Sequence, residues 1–124
     1  MNACSASIVD DLMMKRMRRA LREGGDTHTL GDIIAEIDAG NMQSFVVGNS
    51  WAVTCILDTP RRRVLEIFMA VGVWADMPEL HRQVTEFAKE HGVTLIRAFG
   101  RRGWLKTGKA HGWAANQYVF TKEI

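Results

Sequence analysis

Two apolar runs of strand composition, Arg63–Val71 and Val93–Phe99, flank an amphipathic stretch, Pro78–His91. That arrangement constrains the fold more than any other feature of the chain. Arg63–Val71 is almost continuously apolar except at Arg63 and Glu66, and Val93–Phe99 reads as a buried strand. Between them Leu80, Val84, Phe87 and Ala88 recur on one helical stripe, Pro78 suits the first helical turn and Gly92 the residue after the last. Gly72–Met77 is the break before the helix. A helix joining two strands is the crossover that parallel neighbours require, and such crossovers are right-handed.

The rest of the chain supplies elements to pack against this unit. Ser5 or Ser7 can cap a first helix, about Ile8–Glu23, with Ile8, Leu12, Met13, Met17, Ala20 and Leu21 as its apolar stripe. Asp10 and Asp11 sit in its first turn and Lys15–Arg22 in its later turns, as the helix dipole favours. Gly24–Gly25 stops it. Thr27 or Thr29 can cap a second helix, Leu30–Ala39, closed by Gly40, with Leu30, Ile33, Ile34 and Ile37 inward. Met42–Val47, Trp51–Leu57 and Arg63–Val71, joined by the short turns Gly48–Ser50 and Asp58–Arg61, read as an antiparallel meander. A short helix, Gly103–His111, and a last strand, Ala115–Thr121, complete the order.

At 124 residues and 47% apolar composition, the chain fits one folded domain, residues 1–124. It has no apolar run long enough to span a bilayer and no signal-peptide pattern, so a cytoplasmic location is expected. Cys4 and Cys55 lack metal or redox spacing, in keeping with a reducing compartment. No metal-binding or nucleotide-binding motif is present. The net charge of +2 is too mild to imply nucleic acid by itself. The clusters at Lys15–Arg22, Arg61–Arg63 and Arg101–Lys109 read first as solvated faces or turns.

The order helix, helix, three meander strands, helix, strand, helix, strand resembles the core of the GNAT superfamily of acyl-CoA N-acyltransferases over about Leu12–Lys122. Glu86–Trp113 carries the likeness most sharply: a helix ending His91–Gly92, a strand, a short helix, then Gly112–Trp113. The resemblance implies a reduced α/β GNAT-like fold, a mixed sheet of about five strands with four helices. Three shorter motifs are similar to small GNAT-like proteins of tailed bacteriophages: Gly40–Gln43, Pro60–Arg63 and Gly100–Trp104. Those proteins are often encoded among virion-assembly genes.

The resemblance also says where acyl-transfer chemistry belongs. The superfamily's pyrophosphate loop, Q/R-x-x-G-x-G/A, opens the helix after the meander, where backbone N–H groups and the helix dipole receive phosphate. The matching stretch here is Val71–Pro78. It holds a single glycine, Gly72, with bulky Trp74, and Pro78 lacks an N–H. Asp76 facing a phosphate at about 4 Å costs about 4 kcal/mol at an effective dielectric of about 20, unless it points away. If acetyl-CoA binds, the expected contacts are Val71, Gly72, Val73, Arg101 and Arg102. Glu66 is the matching general base; its alternative is a charge on a solvated strand face. A tyrosine often stands four residues before the superfamily's terminal glycine–aromatic pair. The position here is Gly108, and the single tyrosine, Tyr118, lies in the last strand. His28, His81, His91 and His111 form no nucleophile motif.

Arg101, Arg102, Lys106 and Lys109 are interleaved with Trp104 and Trp113. Three readings stay open: core tryptophans with solvated cations, a protein interface built on Arg101, Arg102, Trp104, Lys106 and Lys109, or a nucleic-acid grip. Two functions are therefore expected. One is a non-catalytic or vestigial GNAT-like phage protein acting in virion assembly through protein contacts, with no cofactor. The other is an acetyl-CoA-dependent N-acyltransferase with an atypical phosphate-binding loop. Neither requires a membrane.

Overall fold

The structure is a computed structural model in which residues 11–100 and 102–124 are described. The proposed caps Ser5 and Ser7, together with Cys4, Ile8, Asp10 and Arg101, fall outside these residues, as does the side chain of Arg102. The order is α1 (Asp11–Glu23), α2 (Leu30–Asp38), β1 (Gln43–Val47), β2 (Ser50–Asp58), β3 (Arg63–Val71), a 3-10 turn (Trp74–Asp76), α3 (Met77–Glu90), β4 (Leu95–Ala98), α4 (Arg102–Gly108) and a second 3-10 turn (Lys109–His111). No helix among the described residues is long and apolar enough to cross a membrane.

The four strands form one sheet in the order β1-β2-β3-β4. The meander pairs are antiparallel and β3–β4 is parallel, as the crossover requires. α1 and α2 cover one face through Met13, Met17, Leu21, Leu30 and Ile33, packed on Trp51, Val53, Met69 and Val71. α3 covers the other through Val84 and Ala88, packed on Leu65. Buried Trp51 donates its indole N–H to Ser44 Oγ at 2.6 Å, so the polar edge of the largest core residue is satisfied.

Three helices end in the same way. After α1, α2 and α3 the glycines Gly25, Gly40 and Gly92 adopt φ of 106°, 82° and 72°. The amides of Asp26, Asn41 and Val93 then return to the carbonyls of Leu21, Glu36 and Ala88. These are Schellman closures, which need a left-handed residue. The last one shortens the strand expected at Val93–Phe99: the Val93 amide is used by the helix end, and pairing starts with Thr94 donating to the Arg63 carbonyl at 3.1 Å. Thr29 caps α2 in a reciprocal box with Asp32.

Three expectations are corrected. Val93–Phe99, read as a buried strand, is largely exposed, with Leu95 at 38% and Phe99 at 49%, because the α1–α2 layer packs on β2 and β3 and not on β4. Leu12, assigned to the buried stripe of α1, is 53% exposed, because α1 turns Met13, Met17 and Leu21 inward. Ala115–Thr121, expected to be a strand, forms none, so the sheet has four strands among the described residues rather than five. Tyr118 and Phe120 are exposed. Strand composition alone does not make a strand; a partner edge must supply the ladder.

One irregularity shapes the sheet. Val53 pairs with Met69 but Thr54 with Ile67, so Phe68 is an extra residue on β3. Before it, Leu65 and Ile67 face α3; after it, Met69 and Val71 face α1 and α2. This β-bulge flips the alternation of β3 and adds local twist.

Candidate active site

β3 and β4 pair only from Val64–Leu95 to Ile67–Ala98. Beyond the bulge Phe68–Val71 runs on without a described partner on that side, and β4 gives way to Phe99–Gly100. The ladder therefore ends at the carboxyl ends of two parallel strands, at the same end as the start of α3. Open α/β sheets bind ligands at such ends.

The loop from β3 to α3 is fixed by one buried hydroxyl. Ser50 Oγ accepts from the Val73 amide at 2.9 Å and donates to the Asp76 carboxylate at 2.7 Å. Asp76 also accepts from the Asn49 amide at 3.2 Å. The carboxylate is thus turned into the β1–β2 hairpin. Gly72, at φ 141°, passes so close that an added Cβ would lie 1.9 Å from Ser50 Oγ. Of the residues matched to the phosphate loop, Val71 is buried, Gly72 is fixed by this close approach, and Val73 has already committed its amide. The amides of Trp74 and Ala75 open the 3-10 turn and, like those of any helix start, have no acceptor within it.

Glu66 is not on a solvated face. It lies on the α1–α2 side of β3, with its side chain 11% exposed. Its cross-strand neighbours are Cys55 on β2 and Arg97 on β4. Arg97 donates from Nε to Glu66 Oε2 at 2.6 Å. This rung is next to the last one of the ladder. Burial, and secondarily the Glu66 carboxylate, push the Cys55 thiol upward from its ordinary pKa, so it is not an activated nucleophile. Arg97 was not singled out in the sequence; a lone arginine in an apolar run gives no hint of its partner across the sheet.

α4 closes the α3 side. Trp104 packs against Trp74, ring centroids 4.7 Å apart. Trp113 donates its indole N–H to His81 Nε2 at 3.1 Å, and the His81 ring lies 4.9 Å from that of His111. Burial, and secondarily His111, lower the His81 pKa. Beside them is a groove of ≈ 370 Å³ lined in part by His81, Arg82, Thr85, Lys89 and His111. Gly108, where a tyrosine would be matched, has a packing reason to be glycine: a Cβ there would lie 3.1 Å from that of Trp113. Lys106 and Lys109 are exposed, and Trp104 and Trp113 are half-buried. Tyr118 is 74% exposed. His28 meets Phe68 edge-on, at 4.9 Å, and His91 stacks on Phe87. No cluster of metal-ligating side chains occurs among the described residues.

Solved structures with this architecture extend over nearly the whole chain. A tetramutant protein from Bacillus halodurans aligns over 98% of this chain and 97% of its own, with a TM-score of 0.70 and 12% identity. An acetyltransferase from Trypanosoma brucei aligns over 94% and 96%, with a TM-score of 0.67 and 12% identity. An aminoglycoside acetyltransferase from an uncultured soil metagenomic sample, in complex with sisomicin, aligns over 98% and 91%, with a TM-score of 0.63 and 11% identity. No protein-family model and no curated protein sequence matches the chain. Likeness at such identity speaks to fold alone. The chain has the GNAT acetyltransferase fold, built on a mixed four-stranded sheet and four helices.

Proposed function

We propose that the protein is an acyl-CoA-dependent N-acyltransferase working where the pairing of β3 with β4 stops. The end of the β3–β4 ladder beside the start of α3 is the observation that carries this reading. Bound acetyl-CoA would supply an acyl group activated as a thioester. The edge of Phe68–Val71 away from β2, which has no described partner, offers donors and acceptors to the amide-bearing arm of such a molecule. The Trp74 and Ala75 amides, with Arg101 and Arg102, are the remaining candidates for its phosphates, because the Val73 amide is committed to Ser50. Asp76 keeps its lone pairs toward Ser50 and Asn49. Glu66 Oε1 has no donor among the described residues and is the atom assigned to take the proton from an ammonium acceptor. Calorimetric titration with acetyl-CoA tests the reading, with binding weakened by Arg102→Ala. No heat at millimolar acetyl-CoA would reject it.

A second reading has its own support. The committed Val73 amide and the packed Gly108 both take away parts the superfamily uses, as expected of a non-catalytic protein acting through contacts. Trp74, 52% exposed, with Trp104, Lys106, Lys109, Arg101 and Arg102, would supply the contact surface. The virion setting rests on the sequence resemblance alone. Failure of acetyl-CoA to bind, with loss of partner capture in Trp74→Ala, favours this reading. DNA binding with a steep salt dependence would favour nucleic acid instead.

A further inference from the structure

We infer that the Glu66–Arg97 rung is the acceptor subsite and that it selects amines bearing a nearby carboxylate, of which an α-amino acid is the smallest. The inference rests on the acyltransferase reading for the fate of the amine, but not for its binding. Arg97 is tied by Nε to a carboxylate that is itself nine-tenths buried, so its guanidinium is held in one orientation. Neither of its terminal nitrogens has a protein acceptor among the described residues, and its side chain is 49% exposed. The helix layer explains this exposure. Leu95 and Arg97 lie opposite Val64 and Glu66 on the α1–α2 side, yet both remain exposed because that layer ends over β3.

The result is an open ledge along β4, next to its last pair with β3. It presents a fixed pair of N–H donors beside a carboxylate oxygen, Glu66 Oε1, that accepts no described bond. A guanidinium in this state prefers a planar anion such as a carboxylate. The adjacent oxygen prefers an ammonium. Both charges of a zwitterionic amine are met at once, and the amine is left one rung from the end of the β3–β4 ladder.

The test is equilibrium binding, read by NMR chemical-shift titration without acetyl-CoA. The probes are L-alanine, L-leucine and L-phenylalanine, each paired with its carboxamide. At least one free amino acid should bind at least tenfold more tightly than its amide, and Arg97→Gln should remove that preference. Glu66→Gln should weaken binding of the amines generally. Thermal unfolding of each variant confirms a folded protein. Equal binding of acid and amide, binding unchanged in Arg97→Gln, or no binding of any probe overturns the subsite. Acid-selective binding in a protein that ignores acetyl-CoA would retain the subsite while rejecting the acyltransferase reading.

Discussion

Ser50 holds three segments together, and replacing it with alanine measures what that junction contributes. The side chain is fully buried, at 0% exposure. Its oxygen accepts from Val73 and donates to Asp76, at 2.9 and 2.7 Å. Ser50→Ala leaves the Val73 amide without its acceptor, an omission that costs about 1–3 kcal/mol where water is excluded. Val73 is 39% exposed, so water reaches the region and the lower half of that range applies. Asp76 loses a charge-assisted bond but keeps the Asn49 amide at 3.2 Å, which adds about 1 kcal/mol. The sum is about 2–3 kcal/mol, or roughly 6–12 °C in melting temperature for a domain of this size. Urea denaturation followed by circular dichroism gives the free energy directly. The double variant Ser50→Ala/Asp76→Ala should cost less than the two single changes added together, since both remove the same bond. A Ser50→Ala protein within about 0.5 kcal/mol of wild type would falsify the clamp.

Gly72→Ala should be among the most damaging single changes, because its Cβ lies 1.9 Å from Ser50 Oγ at φ 141°; Gly40→Ala, in open space at φ 82°, should cost only about 1 kcal/mol, by thermal denaturation of both. His81 accepts from Trp113 only when neutral, and its folded pKa is lowered from 6.5. Below the unfolded value the unfolded chain binds the extra proton, so stability should be full above pH 6.5 and fall as the pH drops toward the lowered folded value. The pH dependence of tryptophan fluorescence should reveal this, and His81→Phe should flatten it. Gly108→Ala should push the Trp113 side chain by a few tenths of an ångström, seen as a change of tryptophan emission, whereas an unchanged spectrum would refute the packing contact. Glu66→Ala should cost only about 1 kcal/mol, since Arg97 is half exposed and water replaces its partner.

Much of this architecture was legible because it is written in local signals. Gly25, Gly40 and Gly92 sit where helix ends need a left-handed residue, and Thr29 where α2 needs a cap. The span Arg63–Val71 was readable to the residue, since apolar continuity and turn residues bound it. The failures share one cause. Tyr118–Phe120 has strand composition, but pairing is a property of two segments. Leu12 matched a helical stripe, but only the sheet decides which side of a helix faces inward.

The candidate site was less legible. Glu66 was legible as a charge in an apolar run, but its burial beside an arginine was not. Its partner could not be read, because Arg97 lies 31 residues away. The same holds for Ser50, which governs Val73 and Asp76 from the far side of the meander.

The sequence by itself determined the order of helices and strands, the ends of the helices and the parallel crossover, because hydrophobic period, capping and turn chemistry act over a few residues. Tertiary structure alone decided the bulge at Phe68, the end of the β3–β4 ladder at Ile67 and Ala98, the turning of Asp76 toward Ser50 and the meeting of Glu66 with Arg97. Each of these depends on register between distant strands, where a shift of one residue moves a side chain to the opposite face.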